Sequence, residues 1–144
     1  MEESLIETLK RGLEDEMSSV RKYVALAAKC GDLAIQSEFL SYAAEELEHA
    51  RKLTDLVESL HGEVGILELK NEEPDEDTDL FETLIEYIAE EESAVFYYDA
   101  LEKLAVDEHM REIASQIRGE ERLHYLKIKE IFEKLKKRSA GKGL

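Results

Sequence analysis

The feature that most constrains this chain is an internal repeat at an offset of 75 residues. Leu5-Ile6-Glu7-Thr8-Leu9 returns as Leu80-Phe81-Glu82-Thr83-Leu84. In the same register Glu16 matches Glu91, Val20 matches Val95, Tyr23 matches Tyr98, and Ala25-Leu26 matches Ala100-Leu101. Asp32 then matches Asp107, Glu45-Glu46 matches Glu120-Glu121, and His49 matches His124, with no gap from residue 5 to residue 60. An acidic chain supplies some Glu matches by chance. A five-residue block, a Tyr pair and a His pair in one register are another matter. Repeats of this kind are built from one supersecondary unit, so the chain reads as two copies of a helical hairpin.

Helix formers dominate each copy, and the only proline is Pro74. Ser4-x-x-Glu7 and Asp79-x-x-Glu82 read as capping boxes that open the first and third helices. Gly31-Asp32 reads as a stop followed by a new N-cap, and Asp107 does the same in the second copy. The pattern predicts α1 over about 5–30, α2 over 33–61, α3 over 80–105 and α4 over 108–137, with boundaries good to about two to four residues. The short α1–α2 and α3–α4 turns make antiparallel hairpins. The segment 62–78 is long, with Pro74 and an acidic run. Extended at roughly 3.3 Å per residue, it can span a helix of about 45 Å. The expected fold is therefore all-α: an antiparallel four-helix bundle with one long crossover between α2 and α3, over one domain, 1–144. Its helical part covers about 4–137, with a crossover linker at 62–78 and a flexible tail at 139–144.

Seams of apolar residues at the coiled-coil spacing run along each helix. In α1 the seam is Ile6, Leu9, Leu13, Glu16, Val20, Tyr23, Ala27 and Cys30. In α3 it is Phe81, Leu84, Ile88, Glu91, Val95 and Tyr98. In α2 it is Phe39, Ala43, Glu46, Ala50, Leu53, Val57 and Leu60, and in α4 Ala114, Arg118, Glu121, Tyr125, Ile128, Phe132 and Leu135. Each helix thus contributes one glutamate to a mainly apolar face, and Arg118 has no evident reason to be there. Glu16 lies 15 residues before Gly31 and Glu46 lies 15 after it, so an antiparallel hairpin brings them to one level. Glu91 and Glu121 stand likewise on either side of Val106. His49 and His124 each follow a glutamate by three residues, which puts each pair on one helical face. Four carboxylates and two imidazoles are expected to converge at mid-bundle. Buried carboxylates without compensation each cost several kcal/mol. Two divalent cations would balance four of them, and oxygen plus imidazole donors suit iron, manganese or zinc.

As a set, Glu16 with Tyr23, Glu46-x-x-His49, Glu91 with Tyr98, and Glu121-x-x-His124 resemble the ferritin-like superfamily, in particular its rubrerythrin and bacterioferritin type of di-iron protein. The resemblance covers about residues 4–137. It implies two iron ions bridged by Glu46 and Glu121. Glu16 and His49 would complete one metal, and Glu91 and His124 the other. Tyr23 and Tyr98 would be the catalytic tyrosines, donating hydrogen bonds to the ligands. Three departures stand out. The rubredoxin-like domain of rubrerythrins, with its Cys-x-x-Cys pairs, has no counterpart. Ala94 occupies the place of their extra glutamate, and Leu47 that of the haem-binding methionine of bacterioferritins.

Other residues carry blander readings. Glu58-x-x-His61 has Glu133 and Lys136 as its repeat mates, so His61 reads as a helix-end residue. His109 reads as exposed, Cys30 as a small core residue, and Glu72 to Asp79 as a solvated acidic linker. Glu92 replaces Glu91 only if the register is off by one. The formal charge of −16 argues against nucleic acid and anionic membranes as partners. A single cysteine points to a reducing, cytoplasmic compartment. The expected partners are peroxide or dioxygen and an external electron donor. A second copy of the chain is expected as well, through off-seam side chains such as Phe96, Tyr97 and Leu123. Peroxidase or ferroxidase chemistry, iron storage without turnover, and a helical interaction module without chemistry are the functions this sequence admits.

Overall fold

Helix formation begins where an aspartate can receive the first backbone N–H groups. Asp32 Oδ1 accepts from Ala34 N at 2.9 Å and Ile35 N at 3.1 Å, Asp79 Oδ1 from Phe81 N at 3.2 Å, and Asp107 Oδ1 from Met110 N at 2.8 Å. These caps fix three of the four starts. The computed structural model describes residues 2–60, 62–65, 67 and 79–142. It contains α1 (Glu2–Lys29), α2 (Leu33–Ser59), α3 (Leu80–Leu104) and α4 (Glu108–Lys142), with no strand among the described residues. The crossover, Pro74 and His61 lie outside the described residues, apart from 62–65 and 67.

Three boundary expectations change. The first helix begins at Glu2, so Ser4 is inside it, and the Ser4 carbonyl accepts from Thr8 Oγ1 at 2.9 Å. Gly31 does not use the left-handed conformation. Among the described residues the only glycine with positive φ is Gly65, at 68°. The α1–α2 turn is instead tied by Gln36 Nε2 donating to the Cys30 carbonyl at 2.5 Å. Finally, α4 runs to Lys142, into the segment expected to be a flexible tail. Nothing in Lys136 to Ala140 breaks a helix, and cations near a helix C-terminus are favourable.

The chain divides into two compact units, Met1–Pro74 and Asp75–Leu144, each a helical hairpin. In the first, Leu9, Leu13, Leu26, Phe39, Leu53 and Val57 are buried. Tyr23 stacks on Phe39 with centroids 6.3 Å apart and meets Tyr42 edge-on at 5.7 Å. Past the end of α2, Gly62 N donates to the Val57 carbonyl at 3.0 Å. A Cβ at Gly62 would come within 3.0 Å of Ile6 Cδ1 and 3.2 Å of Val57 Cγ1, so a side chain there would make these neighbours give by a few tenths of an ångström. In the second unit Leu84, Leu101, Met110, Ile117 and Ile128 are buried, and Phe81 meets Phe132 edge-on at 5.8 Å.

The buried line on α4 differs from the expected seam by one residue. It runs Met110, Ala114, Ile117, Glu121, His124, Ile128, Ile131, while Arg118, Tyr125 and Phe132 are only half-buried. A helix in a hairpin buries an arc wider than a two-position seam, and the sequence reading followed the arc's edge. The same line on α2 is Ile35, Phe39, Tyr42, Glu46, His49, Leu53 and Leu56. Each of its members lies 75 residues before its α4 counterpart, so burial follows the repeat residue by residue.

Arg118 thereby gains a reason. From the edge of the arc its Nη1 reaches across to α3, where it donates to Asp99 Oδ1 at 3.1 Å and to Glu102 Oε2. Lys103, and after it Arg118, hold the Asp99 carboxyl below its ordinary value of 3.8. A carboxyl depressed in the folded state stabilises the fold above its unfolded pKa and loses that contribution as pH falls through the folded one. Arg118→Ala should therefore melt below the parent at neutral pH. The gap should hold down to about pH 5, close as Asp99 takes up its proton in more acidic solution, and narrow in high salt. Thermal melts across pH and salt test this, and a gap that persists at the acid end contradicts the ion-pair account.

Candidate metal centre

Each hairpin assembles the same three donors. In the first unit, α1 supplies Glu16 and α2 supplies Glu46 and His49. His49 Nδ1 lies 3.5 Å from Glu16 Oε2 and 3.6 Å from Glu46 Oε1. In the second, α3 supplies Glu91 and α4 supplies Glu121 and His124. His124 Nδ1 lies 3.8 Å from Glu91 Oε2 and 3.9 Å from Glu121 Oε1. Within each trio the ligand atoms all lie within 4.8 Å of one another. The i, i+3 spacing on α2 and α4 and the antiparallel pairing of each hairpin produce this directly.

All six side chains are closed to solvent: Glu16 and Glu91 are 4% exposed, Glu46 and Glu121 1%, His49 0% and His124 2%. Burying two carboxylates side by side is costly unless opposite charge joins them. One divalent cation per trio supplies it and leaves the trio neutral. The spacing fits too. Metal–ligand bonds of about 2.1 Å put neighbouring donor atoms about 3.0–3.4 Å apart in octahedral or tetrahedral sites. The trios stand slightly wider than that, the first less so than the second. Mixed carboxylate and imidazole donors favour iron, manganese or zinc over calcium or magnesium.

Within each unit the structure brings three of the six expected ligands together. Tyr23 and Tyr98, one heptad beyond Glu16 and Glu91, are buried to 1% exposure. The first packs between Phe39 and Tyr42, and the second stands edge-on to Tyr97 at 4.8 Å. The register alternative fails, because Glu92 is exposed where Glu91 is buried. His109 is exposed, and Cys30 is a buried free thiol. Leu47 points outward, 52% exposed. The sequence reading did not single out Tyr42 and Tyr87, which are buried one turn before Glu46 and Glu91. The i, i+4 spacing to each ligand was the available signal.

The description Ferritin-like domain matches residues 6–138. Among curated protein sequences none matches. A bacterioferritin-related dodecameric thioferritin from Bacteroides fragilis superposes with TM-score 0.81 at 22% identity, over 99% of this chain and 92% of that one. The bacterioferritin of Desulfovibrio desulfuricans, which has a di-iron site, gives 0.82 at 17% identity, over 94% and 82%. A ferritin-like di-iron-carboxylate protein of Bacillus anthracis gives 0.78 at 21% identity, over 91% and 96%.

If the trios exist to hold cations, their glutamates cost stability when no metal is bound. Glu16→Leu combined with Glu91→Leu should abolish tight metal binding. It should leave the metal-free protein melting at or above the parent temperature, because buried like charges give way to side chains that fill the seams. Glu7→Leu with Glu82→Leu, on the exposed surface, is the control. Calorimetry of the metal-free proteins decides, and a large drop for the Glu16/Glu91 variant would make these glutamates structural ion-pair partners.

Proposed function

The chain belongs to the ferritin-like domain family, whose fold is an all-α four-helix bundle, and from that premise we propose that each of its two trios holds one iron ion, two per chain. The observation that carries the reading is the pair of buried trios, each of two carboxylates and an imidazole, at matching repeat positions. Glu16, Glu46 and His49 would hold one ion, and Glu91, Glu121 and His124 the other. Manganese or zinc can occupy the same donors. Iron(II) held in both trios would supply two electrons to peroxide or dioxygen.

The protein's own part is positional. The glutamates hold charge that each ion neutralises, so loading the site does not leave a net buried charge. His49 and His124 would ligate through Nδ1, the ring nitrogen that faces the carboxylates of each trio. Tyr23 and Tyr98 donate their hydroxyl protons to ligand carboxylates and fix the orientation of the site. The surrounding leucines, phenylalanines and tyrosines keep bulk water from the donors. Repeated reduction of peroxide requires an electron donor to return the irons to the reduced state.

The second reading is iron oxidation coupled to storage. It is favoured by the superposition on bacterioferritin and on the bacterioferritin-related thioferritin. Stopped-flow mixing of the iron(II)-loaded protein with each oxidant separates the two. We expect faster oxidation by peroxide than by dioxygen. A dioxygen preference, with iron retained as mineral in a large particle, would move the assignment to storage.

Stoichiometry tests the centre itself. Anaerobic titration should saturate at two irons per chain. Because the folded chain binds metal far better than the unfolded chain, loading should raise the melting temperature, by an amount equivalent to about 2.7 kcal/mol per site at a hundredfold excess over Kd. Saturation at one ion, or none, sinks the two-metal reading.

A further inference from the structure

The formal charge of −16 is unevenly spread along the chain. Residues 127–144 carry seven lysines and arginines against two glutamates, so this end is net positive by five and the rest net negative by 21. After Glu133 come Lys134, Lys136, Lys137, Arg138 and Lys142, with no further acidic side chain. Lys134, Lys136, Lys137 and Arg138 are all exposed. The same segment stands clear of its own hairpin. Phe81, at the start of α3, meets Phe132 edge-on, which marks the level of that start on α4. From Glu133 to Lys142 the helix runs on for about 15 Å with no further turn of α3 beside it. The repeat shows that the hairpin does not need this length, because α2 ends at Ser59, the mate of Lys134. Nor does the helix dipole account for the cations. Its effect fades within the last turn, and Lys134, Lys136 and Lys137 all lie more than a turn before Lys142.

We propose that the overhanging end of α4 binds the phosphate backbone of a nucleic-acid duplex, without regard to base sequence. The net charge of the whole chain opposes such a partner, and distance decides the matter. At physiological salt the Debye length is about 8 Å, roughly half the overhang. A polyanion lying across the overhang touches the cations directly, while most of the hairpin's carboxylates lie beyond a Debye length. Lys134, Lys137 and Arg138 are three and four residues apart and share one side of the helix, a short cationic row that a phosphate strand can follow. Ser139, Ala140 and Gly141 beyond them are small and leave the approach open. No asparagine, glutamine or aromatic side chain stands from Glu133 to Lys142 to read a base edge or stack on it. A lipid surface suits this end less well. Stable anchoring there needs a second signal beside a polybasic patch, and Leu135, half-buried, is the one large apolar side chain between Glu133 and Lys142. Backbone binding needs no such signal, because release of counterions drives it.

Fluorescence anisotropy of a labelled DNA duplex titrated with the full chain tests this, and no metal is required. Two duplexes of unrelated sequence should bind alike at low salt. With four phosphate contacts and a slope of about 0.9 per contact, affinity should fall roughly a hundredfold between about 50 and 200 mM salt. Lys134→Gln combined with Lys136→Gln and Lys137→Gln should weaken binding at least tenfold and flatten that slope, with helical circular dichroism unchanged. Lys127→Gln with Lys129→Gln, at the level of the hairpin, should bind like the parent. No duplex binding at the lower salt, binding that survives the triple substitution, an equal loss in the Lys127/Lys129 variant, or a strong preference for one sequence overturns the proposal. So does pelleting with phosphatidylserine vesicles at a salt concentration where the duplex is not bound, which would assign these cations to a lipid surface.

Discussion

Two carboxylates and an imidazole sit inside the apolar face of each hairpin, and most of what is specific about this chain answers to that burden. An apolar seam tolerates such a cluster only if positive charge arrives to join it. The helices deliver their donors by simple means. A three-residue step places glutamate and histidine on one face, and an antiparallel turn sets a second glutamate opposite. No loop takes part in the trios, so their precision is that of helix packing. Helical elements hold functional side chains more tightly than loops do.

The rest of each unit keeps that layer in place and dry. Tyr23 wedged between Phe39 and Tyr42, and Tyr98 against Tyr97, fill the level above the donors with rigid rings. Asp32, Asp79 and Asp107 fix where α2, α3 and α4 begin, and so set the height of every ligand counted from those starts. A cap lost there would fray the first turn, and any slip in helix phase would carry the donors off their common face.

Much of this could be read before any coordinates. The glutamate and histidine positions stood out because each broke an apolar rhythm at the same place in both repeats. What escaped the reading was set by interactions that periodicity does not encode. Arg118 looked like a flaw in a seam because its partners, Asp99 and Glu102, lie on another helix. Phase on α4 was misjudged because half-buried Tyr125 and Phe132 are as apolar in sequence as buried Ile117 and Ile131. Ser4 looked like a cap, yet Glu2 and Glu3 precede it, and acidic residues are favourable in a first helical turn. At the other end Lys136 to Ala140 carry helix-compatible residues and no stop, so length there was underestimated.

Duplication has a consequence for how such a centre can change. Because each hairpin brings its own trio of two carboxylates and an imidazole, the two halves are separate targets for substitution, as two alleles of one design would be. One half can acquire a new surface or a looser ligand set while the other preserves the original. The copies already differ in this way. His49 stands 3.5–3.6 Å from its carboxylates and His124 3.8–3.9 Å from its own. Leucine lines the outside of α2 where α4 carries charge. A protein assembled from two identical single-hairpin chains could not do this, since every change would strike both sides at once. Joining the copies in one polypeptide frees them to diverge.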